Sequence, residues 1–240
     1  MKRIDSRGGL LLASLALTFA LCAGMAPVAR AGDVPSSARW KPGVNFTVLS
    51  PAQPTNAPAG KVQVMEFFYL ACPYCHALEP YITAWRKHLP GYVQFVRTPV
   101  MWGPIQVADA RLYYSLEAAG RGDLVDTAFN TLHRLENAAG GDENVMMGSS
   151  RSKTFALQVA FAERHGLSAA AYGNAFNSFD VHVEMDRARE LGKLYQIMHT
   201  PTIIVDGRYR TDPGKAGGNQ QLIELINFLA RWDHEHPHAG

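Results

Sequence analysis

Two cysteines three positions apart, Cys72 and Cys75, lie between two stretches of different periodicity. The residues before them, 62–70, are almost all apolar, aromatic or β-branched, which predicts a strand buried on both faces of a sheet. After them, apolar side chains recur at spacings of three and four between Leu78 and Leu89, which is typical of one face of a helix. The sequence therefore predicts a strand-to-helix junction, with Cys72 at or near the N-cap and Cys75 one turn inside the helix.

A helix start favours a negative charge, because its first backbone N–H groups have no partner within the helix. A thiolate at Cys72 is stabilised by these groups, so we expect a lowered thiol pKa and reactivity near neutral pH. Pro73 fits the first helical position, where its missing N–H is not needed. The motif therefore favours redox catalysis that begins at Cys72.

Two other interpretations of the cysteine pair stay open, a metal site and a passive disulfide. A four-thiolate zinc site needs a second cysteine pair, which this chain lacks, although His76 can supply a third ligand. A structural bridge that closes so small a loop would restrict the unfolded chain little. We favour redox catalysis over both.

The first 31 residues have the three parts of a secretory signal peptide. Two basic residues follow Met1, an apolar block spans 10–26, and an A-x-A sequence ends at Ala31. The apolar block is short for a membrane span, which needs about 20 residues. We expect cleavage after Ala31 and export of the remaining chain.

A lipoprotein signal that ends at Cys22 is the alternative, but Leu21 is too large for the small residue required there. Cleavage after Ala31 removes Cys22 and leaves Cys72 and Cys75 as the cysteines of the exported protein. Exported chains usually carry structural disulfides or no thiols. A single C-x-x-C in that compartment therefore indicates catalysis.

About 209 residues remain after cleavage, enough for one or two domains with a hydrophobic core. The net charge of +2 is small, so nothing indicates binding to nucleic acid or to an anionic membrane surface.

Residues 32–60 are rich in proline and small residues, which predicts an extended leader with one short strand at 46–49. The strand at 62–69 and the helix at 73–88 are followed by alternating apolar and polar residues at 92–97. A strand, a helix and a second parallel strand in this order form a right-handed βαβ unit.

From 105 to 197 the pattern is helical almost throughout, and about 90 residues are too many for a loop inside a compact domain. We therefore predict an inserted all-helical domain. Its predicted helices are 105–119, 123–137, 152–165, 169–177 (with Ser168 as N-cap) and 180–197. We interpret the apolar residues at helical spacing as core; they are Tyr113, Tyr114, Phe129, Leu132, Phe155, Phe161, Phe176 and Phe179.

The β pattern returns at 202–205, followed by a turn at 206–207 and a returning strand at 208–211. An amphipathic helix at 222–232 closes the pattern. The tail 234–240 contains His234, His236 and His238, which can capture a metal ion, although a solvated tail is favoured because no rigid frame is nearby. We predict an α/β fold in which 61–104 and 198–233 form one discontinuous domain and 105–197 is inserted.

A C-x-x-C that opens a helix after a buried strand resembles the thioredoxin superfamily. Glu66 lies six residues before Cys72, Pro80 lies eight residues after it, and Thr200-Pro201 precedes the hairpin, as in that superfamily's pattern. The helical insertion narrows the resemblance to the DsbA family of secreted thiol:disulfide interchange proteins. Further similar stretches are 64–68, 177–179, 207–210 and 216–218. The resemblance implies a thioredoxin-like fold with an inserted all-helical domain.

The resemblance also implies a periplasmic oxidase that donates its disulfide to reduced exported polypeptides. Cys72 is then the exposed sulfur that the substrate attacks to form a mixed disulfide, and Cys75 is the buried partner. A DsbB-type quinone-linked membrane protein would reoxidise the enzyme. No cofactor is implied, and a monomer is the simplest expectation.

In the superfamily an acid at the position of Glu66 lies beneath the buried cysteine and relays a proton. A carboxylate in a buried strand is costly unless it is paired or protonated, so a partner for a nearby Lys or Arg is the alternative role. Pro201 is cis in the superfamily, and Thr200 offers its backbone to the substrate; a simple strand-start proline is the alternative. Trp102 is a further candidate for the substrate groove.

One position departs from the family pattern. DsbA proteins usually have Pro-His between the cysteines, whereas this chain has Pro73-Tyr74, the dipeptide typical of glutaredoxins. A missing cation weakens stabilisation of the thiolate, so we expect a milder oxidant. Two other functions stay open. One is a disulfide isomerase or reductase, although the leader is too short for a dimerisation domain. The other is a non-catalytic metal carrier using Cys72, Cys75 and His76.

Overall fold

Five strands form one mixed sheet in the computed structural model, which describes residues 34–237 except the side chains of residues 143 and 144. The predicted signal peptide with Cys22, and the tail residue His238, lie outside the described residues. The strands lie in the order β1-β5-β4-β2-β3; β2 and β3 are parallel, and the other pairs are antiparallel. They are β1 (Thr47–Val48), β2 (Val62–Phe68), β3 (Val93–Pro99), β4 (Thr202–Val205) and β5 (Tyr209–Thr211).

Eight helices are described between residues 34 and 237, and seven of them lie at the positions that the periodicity predicts, with bounds that differ by a few residues; the short helix Pro213–Ala216 was not predicted. Short 3-10 turns at Gly122–Leu124 and Glu143–Met146 separate some of them. The helices are α1 (Pro73–Arg86), α2 (Pro104–Ala118), α3 (Val125–Ala138), α4 (Arg151–Arg164), α5 (Ala169–Phe176), α6 (Phe179–Leu194), α7 (Pro213–Ala216) and α8 (Asn219–Glu235).

The predicted βαβ unit is confirmed in β2, α1 and β3. All seven residues of β2 are buried, because both faces of the sheet are covered at this strand. The parallel register places Glu66 opposite Arg97. The predicted leader strand and C-terminal hairpin are also confirmed, since β1 pairs with β5 and β5 pairs with β4.

The chain has a thioredoxin fold with a helical insertion, as predicted. Helices α2 to α6 lie between β3 and β4 in the chain, and three of them begin at a serine that caps the first turn. Ser150, Ser168 and Ser178 each accept a hydrogen bond from the backbone N–H three residues later, at 3.2 to 3.3 Å. The predicted cap at Ser168 is therefore confirmed.

The insertion packs directly on the loop that carries the cysteines. One apolar cluster contains Phe68, Leu70, Cys72 and Cys75 together with Phe129 and other residues of α2 to α5. A second cluster fills the space between the sheet and helices α1 and α8. The helical insertion thus buries part of the loop that carries Cys72 and Cys75.

Most of the predicted aromatic stripe is buried, but the prediction for Phe179 is wrong. Its side chain is 80% exposed, and Tyr114 and Phe155 are only partly buried. Phe179 is the first residue of α6, directly after the cap Ser178. The buried face of α6 consists of Val181, Met185 and Ala188, and Phe179 does not belong to it.

The C-terminal helix extends beyond its predicted end at 232. Because α8 continues to Glu235, His234 belongs to the helix and its ring stacks on Tyr92 with centroids 4.2 Å apart. His236 stacks on Trp232 at 4.0 Å. Within residues 34–237, no helix combines the length and the apolar character that crossing a membrane requires.

Candidate active site

Cys72 is the N-cap residue of α1, as predicted. Its backbone is extended, with φ of −75° and ψ of 116°, and its Sγ accepts a hydrogen bond from the Cys75 N–H at 3.3 Å. Pro73 occupies the start of the helix, where no N–H is required. The sulfur therefore lies at the positive end of the helix.

The loop before β4 brings a second segment to the same sulfur. The peptide bond between Thr200 and Pro201 is cis. The Thr200 hydroxyl donates a hydrogen bond to Cys72 Sγ at 3.3 Å, and the Thr200 carbonyl oxygen lies 3.7 Å from that sulfur. The structure thus joins the cysteine motif to Thr200-Pro201, which the sequence separates by more than 120 residues.

The prediction that Cys72 is exposed is wrong for this structure. Cys72 is only 2% exposed, because the Thr200 loop and the insertion pack against it. The next two residues, Pro73 and Tyr74, are exposed, and Tyr74 retains 72% of its accessible surface. Cys75 is fully buried, as predicted.

The two thiols have opposite pKa shifts. The pKa of Cys72 is lowered to about 7, first by a hydrogen bond from the Cys75 thiol; the Thr200 hydroxyl and the backbone N–H groups of Cys75 and Tyr74 add to this, against the effect of burial. Burial raises the pKa of Cys75 well above its usual value. Cys72 therefore has the more stable thiolate of the two, and a thiolate of low pKa is the better leaving group in disulfide exchange.

A buried ionic cluster lies on the inner side of this site. Glu66 is 1% exposed, and its Oε2 accepts a hydrogen bond from Arg97 Nε at 3.0 Å. Arg97 Nη2 donates to Glu79 Oε2 at 2.5 Å, and Nη1 lies 3.8 Å from Asp126 Oδ1. The alternative role for Glu66, a partner for a nearby arginine, is thus observed. Its negative charge also raises the pKa of Cys75.

Sequence reasoning missed Arg97 and Glu79. One weak signal was available: by the strand period of two, Arg97 lies on the same face as Val93 and Phe95. A charge on an apolar face requires a partner. Pairing Glu66 with Arg97 requires the register of β2 and β3, and Glu79 joins them only after α1 packs on the sheet.

Glu79 predicts a specific pH dependence of stability. Burial raises the pKa of Glu79 to about 7. Arg97 opposes this shift only in part, because its single guanidinium serves both Glu79 and Glu66. The folded pKa lies above the unfolded value, so the folded state binds the extra proton and this contribution to stability is lost as pH rises from about 4.5 to 7. The free energy of unfolding of the wild type should therefore fall by roughly 3 kcal/mol over that range because of Glu79, and this fall should be absent in Glu79→Gln.

The measurement is urea unfolding of the wild type and Glu79→Gln at several pH values between 4.5 and 7.5. Other carboxylates contribute equally to both proteins, so the difference between the two curves isolates Glu79. Parallel curves over the whole range would contradict the raised pKa.

His76 does not complete a metal site with the cysteines. Its Nε2 lies 3.0 Å from Asn130 Oδ1, and its ring stacks on His133 with centroids 4.3 Å apart. Within the described part of the chain, no group of three or more His, Cys, Asp or Glu side chains is arranged to hold a metal ion. Trp102, after β3, is 51% exposed.

The fold and this pair of unequal thiols define a thioredoxin-fold thiol:disulfide oxidoreductase. A family model described as Thioredoxin matches residues 56–224. The thiol:disulfide interchange protein DsbA of Burkholderia cepacia is 32% identical over 222 residues, which cover 92% of this chain and 95% of that protein. The chain therefore belongs to the DsbA family within the thioredoxin superfamily.

Two further comparisons agree with this assignment. DsbA of Pseudomonas aeruginosa strain PAO1 is 30% identical over 188 residues, covering 78% of this chain and 82% of that protein. The crystal structure of Pseudomonas aeruginosa DsbA aligns with a TM-score of 0.72 at 29% identity and covers 82% of this chain and 96% of that chain.

Proposed function

We propose that this protein is a periplasmic dithiol oxidase that donates the Cys72–Cys75 disulfide to reduced exported polypeptides. The observation that carries the proposal is the position of Cys72 Sγ at the start of α1, where it accepts hydrogen bonds from the Cys75 N–H and the Thr200 hydroxyl; the opposite pKa shifts of the two thiols follow from this arrangement and from burial. Stabilising the Cys72 thiolate stabilises the reduced enzyme, so the oxidised enzyme tends to give its disulfide away.

The exchange begins with the oxidised protein. A substrate thiolate attacks Cys72 Sγ, the bond between Cys72 and Cys75 breaks, and Cys75 leaves as a thiolate. A second thiolate of the substrate then attacks the substrate sulfur of the mixed disulfide and displaces Cys72. The Cys72 thiolate leaves readily because its pKa is about 7. The substrate is oxidised by two electrons, and the enzyme ends as a dithiol.

Glu66 is our candidate for supplying the proton that Cys75 requires when it leaves. Glu66 Oε1 has no hydrogen-bond partner among the described residues, while Oε2 is held by Arg97. A carboxyl group with one free oxygen can take a proton from Glu79, whose pKa of about 7 lets it hold one near neutral pH, and pass that proton towards the buried thiol, while Arg97 keeps its own. Glu66 is thus proposed to relay a proton as well as to pair with Arg97.

The substrate chain is proposed to lie along Thr200 and Pro201, whose loop contacts the Cys72 sulfur. Met198 lies two residues before Thr200 and Tyr74 two residues after Cys72, and exposed apolar side chains such as these support a surface for an unfolded polypeptide. Tyr74, Trp102 and Met198 retain 72%, 51% and 83% of their accessible surface.

The cellular setting follows the family and the N-terminal sequence. We propose export through the signal peptide 1–31, a periplasmic location, a monomeric state and reoxidation by a DsbB-type quinone-linked membrane protein. We also retain the proposed division into a thioredoxin-like domain (61–104 and 198–233) and an inserted helical domain (105–197).

The test is refolding of a reduced, disulfide-dependent protein by the oxidised enzyme. An oxidase restores activity and releases one dithiol enzyme per substrate disulfide formed. An isomerase instead acts best on a substrate with scrambled disulfides, and a metal carrier contains stoichiometric metal after anaerobic purification. Either of these outcomes without oxidation of the reduced substrate would contradict the proposal.

Tyr74→His is expected to make the protein a stronger oxidant. A cationic imidazole beside Cys72 stabilises the thiolate, and about 1.4 kcal/mol of extra stabilisation raises the reduction potential by about 30 mV. The measurement is equilibration with reduced and oxidised glutathione, with Tyr74→Phe as the control that keeps the ring without a charge. A lower potential for Tyr74→His would refute the argument.

A further inference from the structure

His133 on α3 lies against the active-site loop, and the exchange described above does not use it. Its side chain is buried, with 8% of its surface accessible. Its Nε2 lies 3.1 Å from the carbonyl oxygen of Leu70, two residues before Cys72. Its Nδ1 lies 2.9 Å from Glu136 Oε2, one turn further along the same helix.

Both contacts of the His133 ring are to acceptors. A carbonyl oxygen and an ionised carboxylate accept hydrogen bonds only, and a neutral imidazole carries a single N–H. With Glu136 ionised, the two contacts to Leu70 and Glu136 are both hydrogen bonds only when the ring carries two protons. The two acceptors therefore favour a cationic ring beside the loop of Cys72, whereas burial of the ring opposes the charge.

The titratable groups around His133 set the range in which it can change charge. Burial and the neighbouring His76 lower its pKa, whereas hydrogen bonds to the backbone of Leu70 and Cys72 raise it; the net direction is downward. His76 itself is stacked on the ring and bound to Asn130. The neutral ring is therefore favoured more strongly at His133 than at an exposed histidine.

The other charged groups of the α1–α3 contact lie at its far end. Asp126 on α3 meets Arg97 and shares the Thr83 hydroxyl with Glu79. Asp126 precedes His133 by about two helical turns, or roughly 10 Å along the axis. One guanidinium, that of Arg97, thus meets three carboxyl groups at that far end, and Glu136 is the carboxyl group in contact with His133 itself.

We propose that His133 is a positioning residue for disulfide exchange, whose imidazolium supplies the positive charge towards the Cys72 thiolate that Tyr74 does not. The proposal rests on the proposed function and deepens it. When Cys72 becomes a thiolate, His133 takes up a proton from water; when Cys72 enters a disulfide, His133 returns that proton to water. The helical insertion thereby replaces the cation that the dipeptide lacks.

The direct test is the pKa of His133 in both redox states, measured by NMR titration of its imidazole nuclei. Because coupling between two sites is reciprocal, a thiolate at Cys72 must raise the pKa of His133 as much as the imidazolium lowers that of Cys72. We expect a pKa at least about half a unit higher in the reduced protein. The exposed His182 on α6 is the internal control and should not shift. Equal pKa values of His133 in the two states would overturn the proposal.

A variant separates charge from hydrogen bonding. His133→Gln keeps an N–H donor for the Leu70 carbonyl but cannot become a cation. We expect the pKa of Cys72, from thiolate absorbance, to rise by about half a unit or more, and the glutathione equilibrium to become less oxidising. His182→Gln should change neither. An unchanged pKa of Cys72 in His133→Gln would mean that His133 is structural only.

A second variant keeps the test decisive if His133→Gln does not fold. Glu136→Gln removes the carboxylate that holds the second proton of the ring, so the pKa of His133 should fall and its dependence on redox state should shrink. Both readouts are independent of substrate oxidation. If refolding activity is absent while the coupling is present, the proposed function fails and the inference about His133 stands. If refolding activity is present without the coupling, the inference fails and the proposed function stands.

Discussion

Cys72→Ser is expected to lower disulfide donation by about a thousandfold or more, to the rate of the assay without enzyme. The substituted protein lacks the sulfur that the substrate attacks. Cys75 cannot replace it, because the pKa of its thiol is raised well above the usual value whereas that of Cys72 is lowered. The measurement is the initial rate of refolding of a reduced substrate by enzyme that has first been oxidised.

Cys75→Ser is the matched variant, because it removes the other sulfur of the same pair. Reduced Cys75→Ser treated with oxidised glutathione should form a stable mixed disulfide at Cys72, since no second thiol is present to resolve it. Cys72→Ser should remain unmodified under the same conditions. Rapid modification of Cys75 in Cys72→Ser, seen by mass spectrometry, would contradict the assignment of roles.

Arg97→Met is expected to destabilise the folded protein by about 3 to 5 kcal/mol. The substitution keeps much of the volume but leaves Glu66 and Glu79 as buried carboxylates without their cation. The loss should be smaller at pH 5 than at pH 8, because carboxyl groups without a cation bind protons more tightly in the folded state. Urea unfolding at the two pH values measures both effects.

Arg189→Met is the control, because Arg189 forms an ion pair with Asp186 at 2.6 Å on the exposed face of α6. Such surface pairs contribute about 0 to 1 kcal/mol. Adding Glu66→Gln and Glu79→Gln to Arg97→Met should recover part of the lost stability. If Arg97→Met costs no more than Arg189→Met, the buried cluster is not a stabilising unit.

Local patterns in the sequence predicted the core of the site correctly. The apolar run before Cys72 and the helical spacing after it are both short-range signals, and together they placed the sulfur at a helix start. The five predicted helices of the insertion correspond to α2 to α6, because each has its own amphipathic period and turn residues. Ser168, as a cap, is a signal of the same local kind.

The errors and omissions all depend on long-range packing. The burial of Cys72 depends on a loop more than 120 residues away, and the exposure of Phe179 depends on which face of α6 is covered. The partner of Glu66 required the register between two strands. His133 contacts the active-site loop only because the insertion folds back onto it, and no periodicity in the sequence indicates that approach.

The strand order also has a consequence for when the chain can fold. The centre of the sheet pairs Val64 with Val205, and its leader edge pairs Thr47 with Arg210. Contacts between such distant residues form late, because the whole intervening loop must first be closed. With export N-terminus first, as proposed, the sheet cannot be completed until residues 202–211 have arrived, so the architecture itself delays assembly until those two strands have crossed the membrane.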